Sequence, residues 1–271
     1  MGKTISFDKK KKDEILLVAE KLIDLYQKGE LGGETMPEDS NPHLDLCSEE
    51  NLLYFTLPMA LNYQRNSYKL WEAAKTTYED ETTNVVFSPN EVCNLSINEL
   101  RQHLLKYKVA LQPNKHPEIW MKISETLAIQ FQGSVRNFIS YNDFSVDRIK
   151  SYMLSNKKSF PYISGEKIRN YWLYVIEQYS DIHFIDREKI SVAPDTHVLQ
   201  ASKVLGLIND TDLERSDIRD FVSSQWAYIF EGTSLCPIDI HTPLWLWSRN
   251  GFTMEVNGYG GTFESGIQLH L

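Results

Sequence analysis

Apolar positions recur along this chain three and four residues apart, the spacing of helix faces, and strand-like alternation is scarce. Ile15, Val18, Ala19, Leu22, Ile23 and Tyr26 fall on one stripe, which Gly29 ends. The stretch ELGGETMPEDSNPHLD (30–45) predicts a loop by its Gly, Pro and Asp content. Residues 52–78 are apolar and aromatic and predict two helical pieces interrupted near Pro58. Residues 79–98 read as polar and turn-rich. Leu100, Leu104 and Tyr107 predict a short helix. Ile119, Trp120, Ile123, Leu127 and Phe131 predict a longer one, started at Pro117 and stopped at Gly133. Ile168, Tyr171, Trp172, Val175, Ile176 and Tyr179 form the most regular amphipathic stripe. Asp195 or Thr196 can cap the helix after it, Gly206 can stop that helix, and residues 216–230 predict a further one. The Gly-rich tail 250–271 reads as irregular structure or short strands. No internal repeat is present, and the expected fold is mainly α.

The 271 residues, 42% of them hydrophobic, suffice for a sizeable core in one large or two small domains. An aromatic share of 12% argues against disorder. No apolar run approaches the ~20 residues of a membrane span, and MGKTISFDKKKK has no apolar signal core. A cytoplasmic (nucleoid) or nuclear protein, not a secreted or membrane one, is expected. Gly2, Ser6 and the lysines at 9–12 match a myristoylation pattern; a frayed terminus leading into the first helix is the simpler expectation. Cys47, Cys93 and Cys236 are far apart and form no C-x-x-C pair, so reduced, mostly buried thiols are expected and no metal cluster.

A net charge of −9 argues mildly against nucleic acid, but distribution matters more than the total. Between residues 148 and 172 stand Arg148, Lys150, Lys157, Lys158, Lys167 and Arg169, with Glu166 as the single acid. This is a basic segment inside an acidic chain. It is either a solvated face or a surface for phosphate.

Two stretches carry the chemistry. FPYISGEKIRNYWLYVI (160–176) puts Lys167 at the mouth of a helix. APDTHVLQASKVLGL (193–207) puts Asp195 at the head of the next. Together they resemble the helix-hairpin-helix (HhH-GPD) superfamily of base-excision DNA glycosylases. There a hairpin ends in Gly-x-Lys, and a catalytic Asp heads a later helix ending in Lys/Arg-x-Leu-Gly-Leu. Gly165 and Lys167 supply the first motif; PDTHV and KVLGL supply the second. The usual L-P-G-V-G hairpin is PYISG here, with one glycine of the pair. LPMALNYQRNSYKLWEAA (57–74) resembles the family's early helix with its lesion-wedging Gln, here Gln64. NKHPEIWMKISETLAIQFQGSV (114–135) resembles another family helix. With HTPLWLW (241–247), the chain looks most like the archaeal-type 8-oxoguanine glycosylase branch. His241 and Trp245 would stand where that branch has an acid and a tryptophan in the base pocket. The resemblance covers roughly residues 50–250.

The resemblance implies a two-subdomain helical fold with the active site in the cleft between subdomains. Residues 1–249 would form one glycosylase-like unit with its hairpin and catalytic segment at 160–207, and 250–271 a tail. It implies damaged double-stranded DNA as partner, a monomer and no cofactor. The implied base pocket is Gln64, Trp120, His241 and Trp245. The implied DNA grip is Tyr162, Ile163, Ser164 and Gly165 through backbone N–H groups, with Lys157, Lys158 and Arg169 beside them. A flipped nucleotide would meet Asp195, which stabilises the cation developing at the sugar C1′. Lys167, desolvated by Tyr162, Tyr171 and Trp172 and disfavoured as a cation by Arg169, would attack C1′, form a Schiff base and nick the strand at the abasic site.

Other readings stand beside this one. Asp195 also suits a plain helix cap, Lys167 a surface cation and Gln64 an internal polar residue. Trp71, Trp120, Trp172, Trp245 and Trp247 suit a core, with Trp120 and Trp245 the pair best suited to a pocket. The D-x-H pairs Asp195–His197 and Asp239–His241, with His183, could ligate a metal. In function, the alternatives are an N-glycosidase of the same fold acting on a free modified nucleoside or nucleotide, and a non-catalytic DNA-binding module.

Overall fold

The computed structural model describes residues 7–31 and 36–261, and among these the structure is helical, with one isolated β-bridge, Val256 to Tyr259. In chain order the helices are α1 (Lys9–Gln27), α2 (Glu49–Thr56), α3 (Ser67–Glu79), α4 (Pro89–Val92), α5 (Ile97–Lys106), α6 (Lys115–Phe131) and α7 (Val135–Tyr141). Then follow α8 (Val146–Ser155), α9 (Glu166–Tyr179), α10 (Thr196–Val204), α11 (Asp210–Leu213), α12 (Ile218–Phe230) and α13 (His241–Arg249). The predicted break near Pro58 is a short 3-10 turn, Pro58–Leu61, between α2 and α3. The polar stretch 79–98 folds more than its composition suggests. It holds a 3-10 turn (Asn84–Phe87) and α4, and it buries Val86, Phe87 and Val92. No helix among the described residues is long and apolar enough to cross a membrane.

The chain divides into two compact units, one made of residues 1–34 with 188–271 and the other of residues 35–187. In the first, α1 packs on α12 and α13, and α10 packs on α13. Asp8 accepts from the Lys11 N–H (2.9 Å), so α1 starts before its apolar stripe does. The lysines at its start are helical rather than frayed. Lys12 donates to the Glu231 carbonyl (3.1 Å) and lies over the Tyr228 ring. Gly2 and Ser6 lie outside the described residues, so the myristoylation pattern does too.

The described part of the tail belongs to this first unit. Trp247 donates its indole N–H to the Met254 carbonyl (2.9 Å), and Lys11 donates to the Tyr259 hydroxyl (2.5 Å). Gly260 permits the turn. Its φ is +79°, and a Cβ there would stand 2.5 Å from the Met254 carbonyl oxygen.

The second unit holds α2 to α9 around an aromatic core of Tyr54, Phe55, Trp71, Phe87, Trp120, Phe138 and Trp172. A buried indole N–H needs an acceptor. Trp71 donates to Glu38 Oε1 (2.8 Å), Trp120 to the Val86 carbonyl (2.8 Å) and Trp172 to Thr56 Oγ1 (2.9 Å). Helices α7 and α8 were not apparent as patterns, because their stripes are only Val135, Phe138, Ile139 and Val146, Ile149, Met153. Distant carboxylates complete their starts. Glu49 accepts from Val135 N and Ser134 Oγ, and Asp186 accepts from Val146 N (2.6 Å) and Ser145 Oγ (3.0 Å). The thiols correct an expectation: Cys47 and Cys93 are exposed and Cys236 is half-buried, since they lie in the turns that bound short helices.

Glu38 is a carboxyl group inside this core, 1% exposed, accepting from Trp71 and from the Tyr171 hydroxyl (2.9 Å). Burial raises its pKa to about 7, against the opposing pull of hydrogen bonds from its own backbone, Tyr171 and Trp71. The native state therefore keeps a proton that the unfolded chain releases near 4.5. Stability from this group is complete below pH 4.5 and declines as pH rises through 7, by up to about 1.4 kcal/mol per pH unit. Glu38→Gln should flatten that decline. Thermal unfolding at pH 5 and pH 8 checks it, with the midpoint of the parent protein expected to drop several degrees more than that of the variant.

Candidate functional site

The hairpin before α9 is a compact turn that consumes its own N–H groups. Ile163 N donates to the Pro161 carbonyl (2.7 Å), Ser164 N to Phe160 (3.1 Å) and Gly165 N to Tyr162 (2.9 Å). The Ile163 and Ser164 side chains are buried. This corrects the expected grip, because these three N–H groups are already paired within the turn. The anion-binding potential moves to the first turn of α9. That helix begins without a side-chain cap because its N-cap is Gly165.

The hairpin manages without a second glycine because its left-handed residue is Tyr162, at φ +62°. Such a conformation costs a non-glycine residue about 1–3 kcal/mol. The Tyr162 ring stacks on Tyr63 at 4.2 Å and 9°, a contact worth about 0.5–1.5 kcal/mol. Gly165 has an ordinary φ of −66°; what it allows is close approach, since a Cβ would meet the Tyr162 carbonyl at 3.0 Å.

Arg169 is also corrected. It is 4% exposed and donates through Nη1 to the Ser164 carbonyl (2.7 Å), so it braces the hairpin from inside. Lys157 and Lys158 are exposed, as a phosphate surface requires. Lys167 is exposed on the first turn of α9. The aromatic groups expected to desolvate it are engaged elsewhere. Tyr171 is bonded to Glu38, and Trp172 is fully buried against Thr56.

Gln64 is exposed in the turn between Leu61 and α3, with a left-handed φ of +50°. Through the Tyr63–Tyr162 stack this turn is joined to the hairpin. Three neighbours escaped the sequence reading. Lys115 lies over both tyrosine rings, 4.8 Å from the Tyr162 centroid. His116 meets the edge of Tyr63, and Arg65 donates to the carbonyls of Val109 (2.6 Å) and Lys108 (3.1 Å). The adjacent basic residues in NYQR and NKHP were the available signal. Trp120, by contrast, is fully buried and packed on Phe87, which removes it from any open base pocket.

In the other unit Asp195 is the N-cap of α10, accepting from Val198 N through Oδ1 (3.0 Å). It is half-buried, and its second oxygen has no hydrogen bond among the described residues. Two residues on, His197 Nδ1 lies 3.2 Å from Ser248 Oγ, which donates to Gln200 Oε1 (3.0 Å) and so ties α10 to α13. Trp245 is half-buried, its ring centroid 5.5 Å from that of His197 at 72° and Arg249 over its ring at 5.0 Å. His241 is 5% exposed, so of the expected pair only Trp245 presents usable surface. The D-x-H pairs serve helix starts. Asp239 accepts from Cys236 N (2.8 Å) as Asp195 does from Val198, and no cluster of three metal-ligating side chains forms among the described residues.

Comparison with known proteins adds nothing to this geometry: no family model matches the chain, and no curated protein matches its sequence.

The two kinds of basic residue separate in stability. Arg169→Leu leaves the buried Ser164 carbonyl without its donor and should cost about 1–3 kcal/mol in urea unfolding. Lys157→Ala and Lys158→Ala should stay within about 0.5 kcal/mol of the parent protein.

Proposed function

We propose that this chain is a DNA glycosylase that excises a damaged base, an oxidised purine by its resemblance, with an abasic-site lyase step through Lys167. The observation that carries the reading is Asp195. It heads α10 within PDTHV, keeps one carboxylate oxygen without a hydrogen bond, and stands on a helix packed against the one that carries Trp245. An N-cap alone needs only one oxygen. An unbonded second oxygen on a half-buried residue suits a carboxylate that faces a developing cation.

The chemistry follows from these groups. The C1′–N bond breaks and its electron pair leaves with the base, while the Asp195 carboxylate stabilises the positive sugar. The neutral Lys167 amine attacks C1′ and loses a proton, the C1′–O4′ bond then opens with a proton going to O4′ to give the imine, and the acidified C2′ proton leaves as the C3′–O bond breaks and expels the 3′ phosphate. Lys167 is exposed in the free protein, so bound strand must supply the desolvation that favours its neutral form. Gln64, exposed and held in a left-handed turn, is placed on the surface as a residue that fills a vacated base stack would be. Trp245 supplies an aromatic face for the flipped base.

Asp195→Asn keeps the cap geometry and removes the charge. It should lower base release from lesion-bearing duplex at least 100-fold, on the order of one lost electrostatic stabiliser, with DNA binding retained. Near-normal base release by the folded variant would sink the assignment. Lys167 is read separately. Borohydride should trap a covalent adduct between the protein and lesion-bearing DNA, and Lys167→Gln should lose trapping and strand nicking together. Base release with no adduct would leave a monofunctional glycosylase. Release from a free nucleoside but not from duplex would point to the small-molecule N-glycosidase.

A further inference from the structure

The turn that carries Gln64 and the start of α6 hold two buried hydrogen-bond donors, Arg65 Nε and His116 Nε2, that have no partner among the described residues. His116 is 2% exposed. Its Nδ1 accepts from the Leu111 N–H (3.1 Å), so the proton of the neutral ring is on Nε2. That buried Nε2 has no hydrogen-bond partner. Burial, then the charges of Arg65 and Lys115, lower the His116 pKa to about 4, which keeps the ring neutral and Nε2 a donor near neutral pH. The same two residues bring positive charge to it. Arg65 spends Nη1 and Nη2 on backbone carbonyls, and its buried Nε has no partner. No carboxylate figures among the influences on Arg65, whose pKa burial lowers to about 10. Lys115 sits over the stacked Tyr63 and Tyr162 rings, and its ammonium at the Tyr162 hydroxyl lowers the pKa of that phenol.

Arg65 is only half-buried and Lys115 is exposed, but a buried donor without an acceptor is costly, and both Arg65 Nε and His116 Nε2 are such donors. One oxyanion answers both. Its oxygens can accept from Nε2 and Nε while Lys115 and Arg65 balance its charge. Arg65 also lines an open cleft of ≈ 320 Å³ together with Lys69, Lys108 and one acid, Glu72, so its surroundings on that side are mainly basic.

We propose that Arg65, Lys115 and His116, beside the Tyr63–Tyr162 stack, form a binding subsite for a phosphate group. Its two sources are the diester of a nucleic-acid strand and the monoester of a free nucleotide, which share this chemistry. The inference goes beyond the glycosylase reading and does not rest on it, since it requires no bond to break.

The test follows the histidine ring signals of the full-length protein by NMR, with His116→Asn to identify the His116 signal. Asparagine keeps an acceptor for the Leu111 N–H and removes the Nε2 donor. Three probes are titrated separately: inorganic phosphate, a nucleoside 5′-monophosphate and an undamaged DNA duplex, each at constant ionic strength. The expected result is a saturable shift of the His116 signal, and about tenfold weaker binding of the same probe in Lys115→Gln. A shift with duplex alone assigns the phosphate to a strand; a shift with the monophosphate or inorganic phosphate assigns it to a free ligand. Either supports the subsite. No His116 shift with any probe, or binding unchanged in both folded variants, overturns it. Because the readout is binding, an absence of base release leaves this result intact.

Discussion

Helix starts are the constraint on which this structure turns. A chain that is nearly all helix has many of them, and each leaves backbone N–H groups that need an acceptor. In the unit spanning 35–187 most starts are met by the side chain at the N-cap: Ser48, Asn66, Ser88, Ser96, Ser134 and Ser145. Two longer helices depart from that rule. α6 begins at Asn114 and α9 at Gly165 without a side-chain cap bond. They are also the helices whose first turns carry Lys115, His116 and Lys167. At α6 backbone takes over the task, since His116 N donates to the Gln112 carbonyl (3.2 Å) and Pro117 has no N–H, whereas α9 starts on a glycine with no side chain to cap it.

In the other unit the same constraint is met by a group that can do two things. Asp195 uses one oxygen as an acceptor for Val198 N, which is all that the start of α10 requires. The residue is half-buried, and the other oxygen has no hydrogen bond among the described residues. A cap is thus a positioning device: the hydrogen bond that starts the helix also fixes where the second oxygen points. Serine at this position could cap the helix but would offer no charge to a cation.

The aromatic content divides by the same logic of satisfied polar atoms. Trp71, Trp120, Trp172 and Trp226 bury their rings and place each indole N–H on an acceptor, so they are core. Trp245 is half-buried, with His197 packed on it and Arg249 over its ring. The Tyr63–Tyr162 stack has another purpose. It offsets the strain of a left-handed tyrosine and so lets the hairpin form where a second glycine is missing.

Local chemistry was legible in the sequence. The helical class, the break at Pro58, the amphipathic stripe of α9 and the Asp195 cap all depend on residues within a few positions of one another, and the structure has each of them. Short stripes were too brief to register, so α7 and α8 emerged only once Glu49 and Asp186 arrived from afar to complete their starts. Burial was beyond the sequence for the same reason. Arg169 and Lys158 are both cations in a basic segment, yet one lies under the hairpin holding the Ser164 carbonyl and the other is in solvent. Trp120 and Trp245 are both tryptophans on apolar faces, yet only one keeps surface. The gathering of Arg65, His116 and Tyr162 joins three separate stretches of chain. Spacing along the sequence carries no information about such a meeting, because what brings these groups together is packing between elements that no local pattern encodes.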